Sequence, residues 1–275
     1  HRSKIPGRLA RGHCNFIPPT EICPEHQVCA GYGLFTASAL LVKLLMNPFH
    51  GLYTRMLAAV GFCRFSGHLL WVSGITGEWS LVDCGANRGV FLTRALAQLP
   101  APRSVVCVEA NSVLADQFPV PAGASVTVLH RAVVAVADGT EIEFSVSENC
   151  EASSIYTSVA GVFGVGQTVR VQKTTLRDLL EMLPIGTSIV VKLDIEGAEL
   201  DVLEQISAEC LKRIEQLTVE FHDNLDRSIL PRVRHVMQLV CRNGFVMVKG
   251  DAPGNEDVLF IRADRICGWG ASAQV

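Results

Sequence analysis

Four carboxylates carry the first chemical signal in this sequence. Asp83, Glu109, Asp194 and Glu220 each stand at or near the end of a short apolar run. A carboxylate is costly to bury without a partner. Four at such positions point to a lined cleft, although any one alone would read as a helix cap or a solvated loop end. The first acid opens a glycine turn, Asp83-Cys84-Gly85-Ala86-Asn87-Arg88-Gly89. Gly85 and Gly89 let the backbone turn tightly and come close to a ligand. The nicotinamide pattern G-x-G-x-x-G is absent, because Asn87 stands where its second glycine would be, and so is the phosphate loop GxxxxGK(S/T). An acid ahead of the first glycine suits a ligand with a cationic end rather than a pyrophosphate. S-adenosylmethionine is such a ligand: its ammonium and sulfonium are cationic and it carries no phosphate. Glu109 offers two acceptor oxygens, as the two hydroxyls of a ribose require.

The elements that must hold these groups alternate. Leu81 to Cys84, Val105 to Val108, Ser125 to Leu129, Ile189 to Leu193, Leu217 to Phe221, Phe245 to Val248 and Val258 to Ile261 read as strands. Helical spacing fills Val90 to Leu99, Thr175 to Leu183, about 197–206 and Arg232 to Cys241, the first two stopped by Pro100 and Pro184. Ile142 to Val146 and Val169 to Val171 alternate like hairpin or edge strands. The repeated strand–helix order predicts an α/β layer fold with a mostly parallel sheet. Such sheets bind ligands at the carboxyl ends of their strands, where the four acids fall.

Composition sets the outer bounds. The 275 residues carry 24 Lys+Arg and 27 Asp+Glu, a net charge of −3. That excludes a strongly basic nucleic-acid binder and a strongly acidic solvating chain. Hydrophobic residues make up 49% and charged residues only 19%, against roughly 25% charged in a typical domain. The chain can therefore bury a core, with apolar surface left for a membrane contact or an oligomer interface. None of the ten cysteines forms a CxxC pair, so a zinc ribbon is not expected. Cys84 and Cys107 sit in strand-like runs and read as small hydrophobes; a reduced, cytoplasmic protein is the expectation. Residues 1–26 read as an irregular arm bearing Arg2, Lys4, Arg8 and Arg11. A helix is expected at about 34–46 and another at about 52–63. The alternative for residues 28–46 is a membrane anchor, since basic residues precede the apolar run.

The segments VDCGANRGVF, VVCVEAN, IVVKLDIEGAE, LTVEFHD and DVLFIRAD together resemble the FkbM-type methyltransferases, within the class I S-adenosylmethionine-dependent fold. KLDIEGAE at 192–199 is the most specific of them. The resemblance covers about 79–264. It implies a Rossmann-like seven-stranded sheet of order 3-2-1-4-5-7-6, the seventh strand antiparallel, with helices on both faces. It leaves 1–78 as an arm and helical extension, a candidate substrate cap, and 265–275 as a C-terminal tail. It also implies methyl transfer, usually to a hydroxyl oxygen of a small-molecule, sugar or lipid-like acceptor.

Within that frame the cofactor side comprises Asp83, Gly85, Asn87, Gly89, Glu109, Asn111, Arg131, Ala132 and Asp194. Asp83 would hold the ammonium or else fix the loop, and Asn111 would border the adenine or serve a turn. Ser153, Ser154 and Lys192 are assigned to the substrate side. Asp194, Glu196, Glu220 and His222 are the catalytic candidates, with His222, near pH ~6.5 when unperturbed, as a general base or as a mere partner of a carboxylate. Glu199 reads as a helix-start acid favoured by the macrodipole. An acidic rim of Asp194, Glu196, Glu220 and Asp223 could hold a divalent ion, but its spacing is not diagnostic and no metal is expected. Two other classes stay open: RNA or protein methylation tethered by the basic arm, and a scaffold that binds the cofactor without turnover.

Overall fold

The computed structural model describes residues 50–121, 123–147, 154–155, 165–250 and 254–269. The basic arm, the expected helix at 34–46, the anchor alternative at 28–46 and Ser153 lie outside the described residues. The described chain opens with helix α1 (His50–Ala59) and a hairpin of β1 (Phe62–Phe65) and β2 (His68–Trp71). Then follow β3 (Trp79–Cys84), α2 (Val90–Gln98), β4 (Ser104–Glu109), α3 (Ser112–Asp116), β5 (Val126–His130), β6 (Ala132–Val134), β7 (Glu141–Ser147) and β8 (Val165–Thr175). The second half runs α4 (Leu176–Glu181), β9 (Ser188–Leu193), α5 (Glu199–Glu204), α6 (Ala208–Arg213), β10 (Ile214–Val219), α7 (Leu230–Arg242), β11 (Phe245–Lys249), β12 (Val258–Arg262) and α8 (Ala263–Trp269).

The main sheet has the order β11-β12-β10-β9-β3-β4-β5. Counting only its own strands along the chain, this is 3-2-1-4-5-7-6 read from the other edge. β12 runs antiparallel to β10 and β11, while β9, β3, β4 and β5 are parallel to their neighbours. The order reverses between β3 and β9, which opens a crevice beyond their carboxyl ends. Alternation along β3 splits its side chains between two cores. Val82 and Cys84 join Val191, Leu193, Leu217 and Val219 under α4, α5, α6 and α7. Leu81 joins Val105, Cys107, Val190 and Leu259 under α2 and the hairpin. Cys84 and Cys107 are fully buried free thiols. A second sheet, β6-β8-β7, stands apart, with β7 antiparallel to β8.

The extension differs from the helical expectation. Helix α1 stops at Ala59, followed by Gly61 at φ +85°. The chain then folds back at Ser66 and Gly67, both at positive φ, so that Phe65 pairs with His68. Positive φ at both central residues is what a two-residue hairpin turn needs. Two side-chain contacts clamp the hairpin to the sheet. Gln216, on β10, accepts from Trp71 N–H and donates to Trp71 C=O, each at 2.9 Å. Asp257 accepts from Leu69 N–H at 2.8 Å and pairs with Arg64 at 2.6 Å. At the other end, residues expected as a tail from 265 begin inside α8. Among the described residues no helix is long and apolar enough to cross a membrane.

Candidate active site

The glycine turn is held against the two strands beside it. Gly85 and Ala86 N–H both donate to Val108 C=O, at 2.9 and 3.0 Å. Gly85 lies at φ +75°, and a Cβ there would stand 1.7 Å from the Asp194 carbonyl oxygen. Only glycine lets the β3 and β9 loops come this close. Asn87 N–H donates to Glu109 Oε2 and Asn111 N–H to Glu109 Oε1, both at 2.8 Å. One carboxylate thus ties the loop after β3 to the loop after β4. Burial pushes the Glu109 carboxyl up, against the pull of the Asn111 and Asn87 amides. Each of its oxygens keeps a second lone pair for a ligand.

These loops wall a cleft with about 560 Å³ of empty space, part of it open to solvent. Gly85, Asn87, Glu109, Arg131, Ala132, Asp194 and Glu196 line it, with apolar surface from Leu114, Val133, Phe144 and Ile155. Six of the nine positions assigned to the cofactor side are among these; Gly89, Asn111 and Asp83 are not. Gly89, at φ +70°, caps α2. Asn111 caps α3, its side chain accepting from Val113 N–H. Asp83 has no exposed surface and pairs with Lys192 Nζ at 3.3 Å. That ammonium also reaches Gly85 C=O in the loop.

Lys192 was assigned to the substrate side, but its ammonium is enclosed by the protein. It donates to Gly85 C=O at 2.8 Å and pairs with Asp194 Oδ2 at 3.2 Å as well as with Asp83. Burial alone would lower its pKa, but Asp194 and Asp83 outweigh burial and hold it charged. Ser154 is likewise turned inward. It has no exposed surface, and its hydroxyl donates to Glu196 C=O at 2.5 Å. That bond supports Glu196 in the left-handed region, at φ +56°. A non-glycine residue held there is strained and tends to mark a functional site.

Around Asp194 the charged groups crowd. Burial alone would raise its carboxyl, but Lys192, His68 and His222 outweigh burial and hold it far below the carboxylate range. His222 Nε2 lies 3.2 Å from Glu196, 3.9 Å from Asp194 and 4.0 Å from Glu220. Burial would lower the imidazole, yet Glu199, Glu196 and Asp194 together push it up to about 12. These carboxylates favour the imidazolium, the form in which His222 partners them. Burial, then the neighbouring Asp194, pushes Glu220 up to about 8; burial also raises Glu196. β10 ends at Val219, so Glu220 and His222 share a loop rather than a strand face. Glu199 folds back on the turn, accepting from Ile195 N–H at 2.7 Å and Gly197 N–H at 3.0 Å. Asp223 leaves the acidic rim: both its oxygens accept from Asn255, at 3.0 and 2.9 Å.

The sequence reading missed one member. His68, at the start of β2, is buried with 1% of its surface exposed and points Nε2 at Asp194 Oδ2, 3.5 Å away. Its ring stands edge-on to Phe91. The signal was present in Ser66-Gly67, a turn dipeptide between two apolar runs, but no strand is expected on either side of it.

Sheet order, antiparallel last strand and glycine loop define a class I methyltransferase fold. Residues 83–247 match the methyltransferase FkbM domain, more than half of the chain, and the chain belongs to that family. Among solved structures it is similar to methyltransferase FkbM from Methylobacillus flagellatus KT, at 14% identity, covering 69% of this chain and 45% of that one with a TM-score of 0.41. It is also similar to the cyclopropane synthase MmaA2 from Mycobacterium tuberculosis, at 14% identity, 64% and 57% coverage and a TM-score of 0.34. The plantazolicin methyltransferase BpumL, solved in complex with SAH, gives 11% identity, 76% and 63% coverage and a TM-score of 0.28. The chain thus spans less than half the length of the first of these. No curated protein matches it.

Proposed function

We infer that this protein uses S-adenosylmethionine to methylate a hydroxyl oxygen on a small-molecule, sugar or lipid-like acceptor. The observation that carries this is one cavity at the carboxyl ends of β3, β4 and β9, with Gly85, Glu109 and Asp194 on its walls. The residues suit the cofactor. Glu109 presents two oxygens for the ribose hydroxyls, the Gly85–Asn87 backbone receives the amino-acid end, and Leu114, Val133 and Phe144 give the adenine an apolar bed beside Arg131 and Ala132. When bound, the cofactor supplies an electrophilic methyl group; the protein supplies binding, orientation and electrostatics.

On the acceptor side, Glu196 faces the same cavity as Asp194. Its burial-raised carboxyl makes it a stronger proton acceptor than an exposed glutamate, and it takes the hydroxyl proton. His222 holds Glu196 in place and offsets the charge of Asp194. A positioned base contributes about 10²–10⁴-fold in rate. Lys192 fixes Asp194 and the glycine loop together.

The test is transfer of a labelled methyl group to panels of sugars, lipids, small polyols, RNA and protein. The reading expects label on a hydroxylated small molecule, in a linkage stable to mild alkali. Label confined to RNA or protein would replace the acceptor class. No label on any panel, with the cofactor bound, would leave a binding scaffold instead of an enzyme.

A further inference from the structure

We propose that His68, Asp194 and Glu220 form a binding site for a first-row divalent cation beside the cofactor cavity. His68 Nε2 lies 3.5 Å from Asp194 Oδ2 and 3.8 Å from Glu220 Oε2, and one ligand atom from each of the three falls within 4.8 Å of the others. These gaps are long for N–H···O hydrogen bonds, which cluster near 2.9–3.0 Å. They are close to the edges of a coordination polyhedron: donors each ~2.1 Å from one ion stand ~3.0–3.5 Å apart.

His68 supplies an independent reason. It is a buried imidazole that aims Nε2 at the two carboxylates from 3.5 and 3.8 Å, while Nδ1, facing away from them, has no hydrogen-bond partner; a buried polar side chain held this loosely asks for an explanation, and an ion at Nε2 is one. The fold nonetheless fixes it firmly. Gln216 clamps Trp71, Asp257 clamps Leu69, and Phe91 packs edge-on against the ring. Imidazole with carboxylates suits first-row divalent ions such as Zn²⁺ and Mn²⁺, whereas calcium and magnesium favour all-oxygen sets. A second grouping, Asp194, Glu199 and His222, satisfies the same distances. Glu199, however, has both oxygens engaged by backbone N–H groups, so it is the poorer ligand set.

Lys192 takes one lone pair of Asp194 Oδ2, which orients that carboxylate and tempers the affinity of the site. The side chains of Asp194 and Glu220 are 23% and 30% exposed, which gives an ion a way in. A cation there would hold an acceptor oxygen beside Asp194; that role rests on the methyl-transfer reading, whereas the binding does not.

The test uses the full chain after dialysis against a chelator. Mn²⁺ is titrated with its free-ion resonance as readout, Co²⁺ with its visible absorption, and S-adenosylmethionine binding is measured on the same samples by calorimetry. The proposal expects one saturable site, weakened at least tenfold by His68→Ala and by Glu220→Gln and unchanged by His235→Ala, an exposed histidine on α7. If His68→Ala unfolds, the near-isosteric Glu220→Gln decides. No saturable binding of either ion, or binding indifferent to Glu220→Gln, overturns the site, and if the cofactor still binds, the methyltransferase reading stands without it. Ion binding without cofactor binding is the reverse outcome: the site stands and the reading above fails.

Discussion

Asp83 and Lys192 face each other across β3 and β9 as direct register partners, with Nζ and Oδ1 3.3 Å apart and both side chains out of solvent. The pair sits under the glycine turn, and the same ammonium reaches Gly85 C=O and Asp194. It is the internal brace of the site. Removing one member of a buried pair leaves an uncompensated charge and costs about 3–5 kcal/mol. Lys192→Met is therefore expected to lower the unfolding free energy by about that much, as read by urea denaturation. Adding Asp83→Asn should recover part of the loss. If the single variant is as stable as the wild type, the brace is not one.

The two loop glycines should differ in tolerance. An alanine Cβ at Gly85 meets the Asp194 carbonyl oxygen at 1.7 Å, whereas one at Gly89 meets the tip of the Phe118 ring at 2.9 Å. A side chain can shift; the backbone of the neighbouring loop cannot without opening the cavity. Gly85→Ala should lower the melting temperature and weaken cofactor binding at least tenfold. Gly89→Ala, strained by its positive φ alone, should do less of both. Equal effects would contradict the close approach.

His222 sets an alkaline dependence. Its pKa is raised in the native state to about 12, against ~6.5 for an unperturbed histidine. Between those values the folded chain holds a proton that the unfolded chain has released. Stability from this group is therefore complete below about pH 6.5 and is lost as pH rises toward the native value. Urea midpoints at pH 7 and pH 10 should fall further in the wild type than in His222→Gln. Parallel falls would mean that His222 is neutral when folded.

Gln216 carries the hairpin. Replacing it with leucine strands the Trp71 N–H and C=O, and a buried unsatisfied group costs about 1–3 kcal/mol. Gln216→Leu should destabilise the protein and raise amide exchange across 62–71 more than in β3. Unchanged exchange in the hairpin would show that burial of Leu69, Leu70 and Trp71 holds it without the clamp.

The sequence exposed the sheet because each central strand is a compact apolar run closed by a polar residue: Val82 before Asp83, Leu193 before Asp194. Strand identity needs only local composition, and those runs agree with the order the structure adopts. What stayed hidden depends on distance in the chain. His68 reaches Asp194 across more than a hundred residues, through a hairpin held by Gln216 and Asp257, and no local pattern announces such clamps. Side-chain direction was equally hidden. Lys192 and Ser154 lie in the right segments, but their polar atoms bond Gly85, Asp194 and Glu196, because burial demands partners that the sequence does not name. The carboxylates folded around His222 come from Glu196, Glu199 and Asp194, neighbours in space that its own segment does not name.

The central claim is that the cavity beneath Glu109 receives a sulfonium nucleoside. Isothermal titration of the full chain with S-adenosylmethionine, repeated on Glu109→Ala, addresses it most directly. The account predicts saturable one-to-one binding by the wild type and at least a tenfold loss in the variant, with its fold intact by circular dichroism. No heat of binding at millimolar ligand, or equal affinity in both proteins, would contradict it.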